Sequence, residues 1–161
     1  MAFWWVNHKQ TFAQEIVGGF IWSPKENRNG ARNQTYINLT LVKPGDLVIS
    51  YAFAHIQAIG VATAHHTERA KPSEFGAAGD AWSQVGWLVP IDWHKLSTPI
   101  SPKKNIEQVA PLLPAKNSPI RENGNGNQAC YLAAISHDLG DLIISIASHW
   151  SELPAHISGR A

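Results

Sequence analysis

The sequence predicts an α+β fold, a small twisted β barrel with short helices packed around it. Three observations carry that prediction. Strand-like runs at 3–7, 47–53, 57–64, 82–93 and 129–135 are spread along the chain, the fourth alternating Val85, Trp87, Val89, Ile91 and Trp93 at period two. Helical patterns are short and lie between those runs or at the end. Turn chemistry separates them, from Gly18-Gly19 through Lys43-Pro44-Gly45-Asp46 to Asn123-Gly124-Asn125-Gly126-Asn127.

Taken in order, Phe3-Trp4-Trp5-Val6-Asn7 is a first strand whose adjacent tryptophans face opposite sides. Residues 9–17 form a helix closed by the glycine pair, and 20–24 enter a polar loop at 25–33 in an extended conformation. A short helix at 35–42 ends at the Pro44-Gly45 turn, and two strands follow with a brief turn around Ala54-His55. Residues 67–80 read as a surface loop. Pro90 interrupts the strand at 82–93, which suggests a bulge or an edge position. A proline-punctuated stretch holds one short helix at 104–110. The Asn/Gly turn leads into the strand at 129–135, and 138–150 is amphipathic, with Leu139, Leu142, Ile143, Ile146 and Trp150 on one face. One domain therefore spans 1–150, with 151–161 as a loose tail or the start of a linker.

Composition excludes several classes. The 161 residues are 44% hydrophobic, enough for a core, and no apolar run reaches the roughly 18 residues a membrane span needs. The start lacks a basic segment ahead of an apolar one, so the expected location is cytoplasmic, away from any membrane. A single cysteine, Cys130, gives neither a disulfide framework nor a cysteine-based zinc site. Net charge is +1, so any affinity for nucleic acid must come from a local basic rim and a specific pocket. Seven tryptophans are the anomaly, implying either a tryptophan-rich core or a surface for stacking flat ligands.

Catalytic and metal signatures are absent. His65 and His66 are adjacent and diverge on a strand, and His137 and His149 are twelve apart without a supporting carboxylate. No nucleophile elbow and no Gly-rich phosphate loop exists, and Cys130 sits mid-strand as a small hydrophobe. The expectation is a binding domain with no catalytic residue, metal or cofactor. Trp87 and Trp93 share a strand alternation and read as core. Trp22 and Trp82 lie where loops meet regular elements, free to stack on a base for roughly 1–3 kcal/mol, a role weighed evenly against burial. The loop after Trp22 brings Lys25, Arg28 and Arg32 among asparagines, a pattern that serves phosphate clamping or simple solvation.

Taken together, Phe3–Asn7, Gly19-Phe20-Ile21-Trp22-Ser23-Pro24, Ala31-Arg32-Asn33-Gln34 with Asn38, Pro44-Gly45-Asp46-Leu47-Val48, Ile59-Gly60-Val61-Ala62, 82–89 and Gly124–Gln128 with Tyr131-Leu132 resemble the EVE domain. That domain belongs to the PUA-like superfamily and is related to the YTH readers. More narrowly, the chain is similar to the N-terminal EVE domains of modification-dependent HNH endonucleases, although no nuclease signature occurs in it. The resemblance implies a PUA-like twisted β pseudobarrel with a pocket at one mouth. It places Trp22 as a stacking wall beside Ser23, Trp82 as the second wall, and Asn7 and His8 at the end of the first strand; the chemistry of the loop after Trp22 adds Asn33 as an amide able to read a base edge. Ser50 and Tyr51 would line the floor, although Tyr51-Ala52 departs from the family's Phe-Ser-type strand. Lys25, Arg28, Arg32, Lys71, Asn125 and Gln128 would meet backbone or groove.

The function implied is reading of 5-methylcytosine or 5-hydroxymethylcytosine flipped out of double-stranded DNA, as the specificity domain of a modification-dependent restriction system. Two alternatives stand beside it. One is a reader of N6-methyladenine or of a modified RNA base. The other is a piece of an endonuclease whose HNH domain lies outside this stretch or in a partner.

Overall fold

The computed structural model describes residues 1–76 and 85–159. Seven strands among them form one mixed, curled sheet in the order β2-β6-β4-β3-β1-β7, with β5 pairing to β6 beside that path. The strands are β1 (Phe3–Asn7), β2 (Phe20–Pro24), β3 (Leu47–Ala52), β4 (His55–Ala62), β5 (Thr67–Ala70), β6 (Val85–Ile100) and β7 (Leu132–Ile135). All pairs are antiparallel except β1 with β3, where Phe3 sits opposite Leu47 and Asn7 opposite Tyr51. The helices are α1 (Phe12–Gly18), α2 (Gln34–Ile37), α3 (Ile106–Val109), α4 (His137–Trp150) and α5 (Ala155–Ser158).

The alternation of β1 sorts the core into two layers. Trp4 and Val6 point into the barrel, where Ile21, Leu39, Val48, Val89 and Leu132 meet them. Phe3 and Trp5 point outward and are buried all the same, because α4 covers that face with Leu139, Ile143 and Ile144. Asp46 locks the start of β1, its carboxylate accepting from Ala2 N at 2.9 Å and Trp4 Nε1 at 3.0 Å. Ser136 caps α4 by accepting from Leu139 N at 3.1 Å.

Gly140 of α4 lies flat on the Phe3 ring, and a Cβ there would sit 2.4 Å from its carbons. Glycine to alanine inside a helix usually gains about 1 kcal/mol. Here Gly140→Ala is expected to destabilise by about 1–3 kcal/mol through overpacking, measurable as a lower urea midpoint.

Three readings of the sequence are corrected. The stretch expected as a loop at 67–80 contains β5, whose four residues are all exposed and so show no alternation. Pro90 marks neither an edge nor a bulge. It pairs with Phe20 in the middle of β6, where that strand passes from β5 at Leu88 to β4 at Ile91. A missing N–H falls in that handover, and Pro90 O still accepts from Thr63 N at 3.1 Å. The segment after 150 is not loose: α5 docks Ile157 fully buried in the outer layer.

Candidate functional site

The sheet ends on β2 at one side and β7 at the other, and among the described residues no ladder joins the two. Side chains close the gap instead. The buried carboxylate of Glu15, on α1, takes the main-chain N–H of Trp22 on Oε2 at 2.6 Å. It also accepts the Tyr131 hydroxyl at 2.6 Å, the Thr11 hydroxyl at 2.7 Å and His8 Nδ1 at 3.1 Å. From β7's flank, Tyr131 OH accepts in turn from Trp22 N at 3.2 Å. His8 reaches further, its Nε2 lying 2.6 Å from Ser50 Oγ. A carboxylate at Nδ1 calls for a proton there, so in the neutral ring Nε2 accepts from the serine.

Ser50, His8 and Glu15 thus stand in the order of a nucleophile, a base and its orienting acid. Ser50 is completely buried within β3, and it does not border the cavity described next. With that hydroxyl buried and held by His8 Nε2, the trio forms a polar brace in the barrel mouth.

Over this brace opens a cavity of about 590 Å³, inside the range of roughly 300–1,000 Å³ typical of small-ligand sites. Asn7, His8 and Lys9 form one side, Trp22, Ser23 and Pro24 of β2 another, and 126–131 a third. Tyr36, Tyr51 and Tyr131 supply rings, with Tyr36 and Tyr131 edge to face at 6.2 Å. The hydroxyls of Tyr36 and Tyr51 have no hydrogen-bond partner among the described residues, and burial pushes both pKa values up. Tyr131 is pushed up much further, by desolvation first and then by the Glu15 charge. Its proton is lost more readily from the unfolded chain, so this contribution to stability is complete below the ordinary tyrosine range near about 10 and fades as pH rises through it.

At the rim, β3 and β4 are joined by the two-residue turn Phe53-Ala54, with left-handed φ angles of 56° and 63°. Such turns favour Asn-Gly, and an L side chain there costs roughly 1–2 kcal/mol per residue. Phe53 stands 56% exposed and borders the cavity. Its ring meets Phe12 edge to face at 6.0 Å, and Phe12 meets His8 at 5.5 Å.

The residues expected at the site are distributed unevenly. Asn7, His8, Trp22, Ser23, Tyr51 and Gln128 all border the cavity. Trp22, however, is not an open platform. Its residue is 1% exposed, its Nε1 donates to Arg69 O at 3.1 Å, and the indole meets Phe75 edge to face at 5.8 Å beside Phe20. Strand alternation explains this: Ile21 faces the barrel, so Phe20 and Trp22 face the layer on the other side. Asn7 is spent on structure, donating to Pro119 O at 2.8 Å and Asn127 O at 3.3 Å while accepting from Trp5 Nε1 at 2.8 Å. Ser23 Oγ donates to Pro24 O at 2.9 Å.

Asn33 is a helix cap rather than a base reader. It accepts from Thr35 N at 2.9 Å and donates to Asn27 Oδ1 at 2.9 Å, away from the cavity. Lys25 pairs with Glu68 at the surface and lies over Trp87. That pairing also holds the exposed Glu68 carboxyl below its usual range, through the hydrogen bond first. Arg28 and Arg32 are exposed. Lys71 donates weakly to Gly76 O at 3.5 Å, and Asn125 Oδ1 accepts from Lys103 Nζ at 3.1 Å. Trp82 lies outside the described residues.

Sequence reasoning missed Tyr36, Tyr131, Glu15 and Phe53. Cys130, also on the cavity wall, has its thiol pushed up to about 12 by burial. A thiol reagent at pH 8 is expected to leave it unmodified in the folded protein and to label it on unfolding. Among the described residues no three His, Cys, Asp or Glu side chains group as metal ligands, and no helix is long and apolar enough to cross a membrane.

No protein-family model matches the sequence, and no curated protein is significantly similar to it. Solved structures do resemble the fold. The YTH domain of Zygosaccharomyces rouxii MRB1 protein, in complex with N6-methyladenosine RNA, superposes with a TM-score of 0.60 at 10% identity, over 95% of this chain and 91% of that one. The Toxoplasma CPSF4-YTH domain gives 0.55 at 14% identity, covering 94% and 88%. ASCH from Zymomonas mobilis gives 0.57 at 10% identity, covering 90% and 95%. The chain therefore has a PUA-like α+β fold, a curled half-barrel with short helices around it.

Proposed function

We propose that this chain is a non-catalytic reader domain that binds nucleic acid and receives one modified base in the cavity between β2 and β7. The observation that carries this reading is the cavity itself. It is of small-ligand size, ringed by three tyrosines, and two of their hydroxyls are unclaimed by the protein. A planar base inserted there exchanges its stacking neighbours for tyrosine rings and its edge partners for hydroxyls and Gln128. The superposition on a YTH domain solved with N6-methyladenosine RNA supports the reader class.

For the base, 5-methylcytosine or 5-hydroxymethylcytosine in DNA is the favoured reading, supported by the resemblance of its segments to EVE domains of HNH endonucleases. On that reading the chain is the specificity part of a modification-dependent restriction system, and cleavage belongs to a separate nuclease domain. N6-methyladenine is the second reading, favoured by the same YTH neighbour.

Titrating otherwise identical oligonucleotides carrying plain cytosine, either modified cytosine, adenine or N6-methyladenine decides between them. A group the size of a methyl changes binding by about 1–3 kcal/mol, so preference of tens-fold for one modified base is expected. Equal affinity for all of them removes the reader assignment.

A further inference from the structure

A base can leave a duplex only if something fills or tolerates the hole in the stack. We infer that Phe53 is that filler, a wedge that enters a base-pair step while the cavity beside it holds the displaced base. The inference rests on the reader assignment and extends it to the form of nucleic acid bound, duplex rather than single strand.

Several independent observations converge on Phe53. Among the described residues it is one of the few large apolar side chains left open, 56% exposed at the tip of the two-residue turn between β3 and β4. It borders the base-sized cavity, so a wedge and a vacated base would be neighbours. The turn holds it in a left-handed conformation, φ 56°, followed by Ala54 at 63°. Fold stability alone favours asparagine or glycine there, and a phenylalanine at that place gives up both conformation and burial. The ring is nevertheless braced. Phe12 supports it edge to face at 6.0 Å, and Phe12 rests against the buried His8. A short hairpin with a supported apolar tip is suited to prising apart stacked bases, as apolar wedges do in DNA-bending proteins.

Charge agrees with a polyanion at this mouth. The residues bordering the cavity include Lys9 and contain no aspartate or glutamate. The nearest acid in the network, Glu15, is sealed beneath by its hydrogen bonds and does not border the opening.

The test uses the whole chain and fluorescence anisotropy on one sequence carrying 5-methylcytosine or N6-methyladenine, offered as duplex and as single strand. F53N removes the wedge while placing a residue that tolerates the left-handed turn, so it is expected to fold at least as well as the parent. Its affinity for the modified duplex should fall ten-fold or more, and that for the modified single strand should stay within about two-fold. F53L, which keeps an apolar tip, should recover most of the duplex affinity. Equal losses on both forms, or no loss on either, overturn the wedge. Parent protein that binds modified single strand but not duplex overturns it too, while leaving the reader assignment standing. Failure of the parent to prefer any modified oligonucleotide removes both.

Discussion

Replacing Trp22 by alanine is expected to destabilise the fold by about 3–5 kcal/mol, the range for emptying a buried aromatic site. For a domain whose whole stability is about 5–15 kcal/mol, that is about a fifth of the total or more. The indole is buried among Phe20, Phe75 and Leu88, and it crosses so close over Gly86 that a Cβ there would lie 2.7 Å from it. Its removal also leaves the Arg69 carbonyl without the Nε1 donor. Urea denaturation read by circular dichroism should show the midpoint falling with little change in slope. A variant of parental stability that has lost only modified-base binding would return Trp22 to the role its sequence context suggested.

The second large effect is expected at Glu15. Glu15→Ala takes the shared acceptor from the Tyr131 and Thr11 hydroxyls and His8 Nδ1, and leaves the Trp22 amide only its longer bond to Tyr131 OH at 3.2 Å. Breaking a buried charged cluster by removing one member costs about 3–5 kcal/mol. Glu15→Gln keeps the shape but turns an amide NH₂ toward groups that are themselves donors, so it should recover only part of the loss. Comparing both by urea denaturation against Tyr131→Phe, which deletes one donor and keeps the ring, separates the cluster from the single bond. A Glu15→Ala protein as stable as the parent would mean that the gap between β2 and β7 does not depend on this carboxylate.

Much of the fold was legible because its strands announce themselves physically. The run at 47–53 and the alternation at 85–93 could only be satisfied by a sheet covered on one or both faces, and β3 and β6 are there. β5 was not legible, since Thr67, Glu68, Arg69 and Ala70 form an exposed strand with no buried face to imprint a pattern.

The site was half legible. Its place at the end of the first strand, beside Trp22-Ser23 and the Asn/Gly loop, followed from the resemblance, and those segments do border one cavity. The orientation of Trp22 was not available, because a one-residue choice of face decides between cavity and core, and nothing local reveals the cover supplied by Phe75. Tyr131 looked like an ordinary strand residue next to Cys130. Glu15 looked like one acid on a short helix, and only the tertiary fold brings four donors onto it.

A barrel seam fastened by one carboxylate behaves unlike a seam fastened by a ladder. Ladder bonds open in series, and each broken rung exposes two backbone groups, whereas a single clasp can loosen and close again while every strand keeps its neighbours. Here four donors converge on that one carboxylate, so the bonds that close the seam stand or fall together rather than rung by rung.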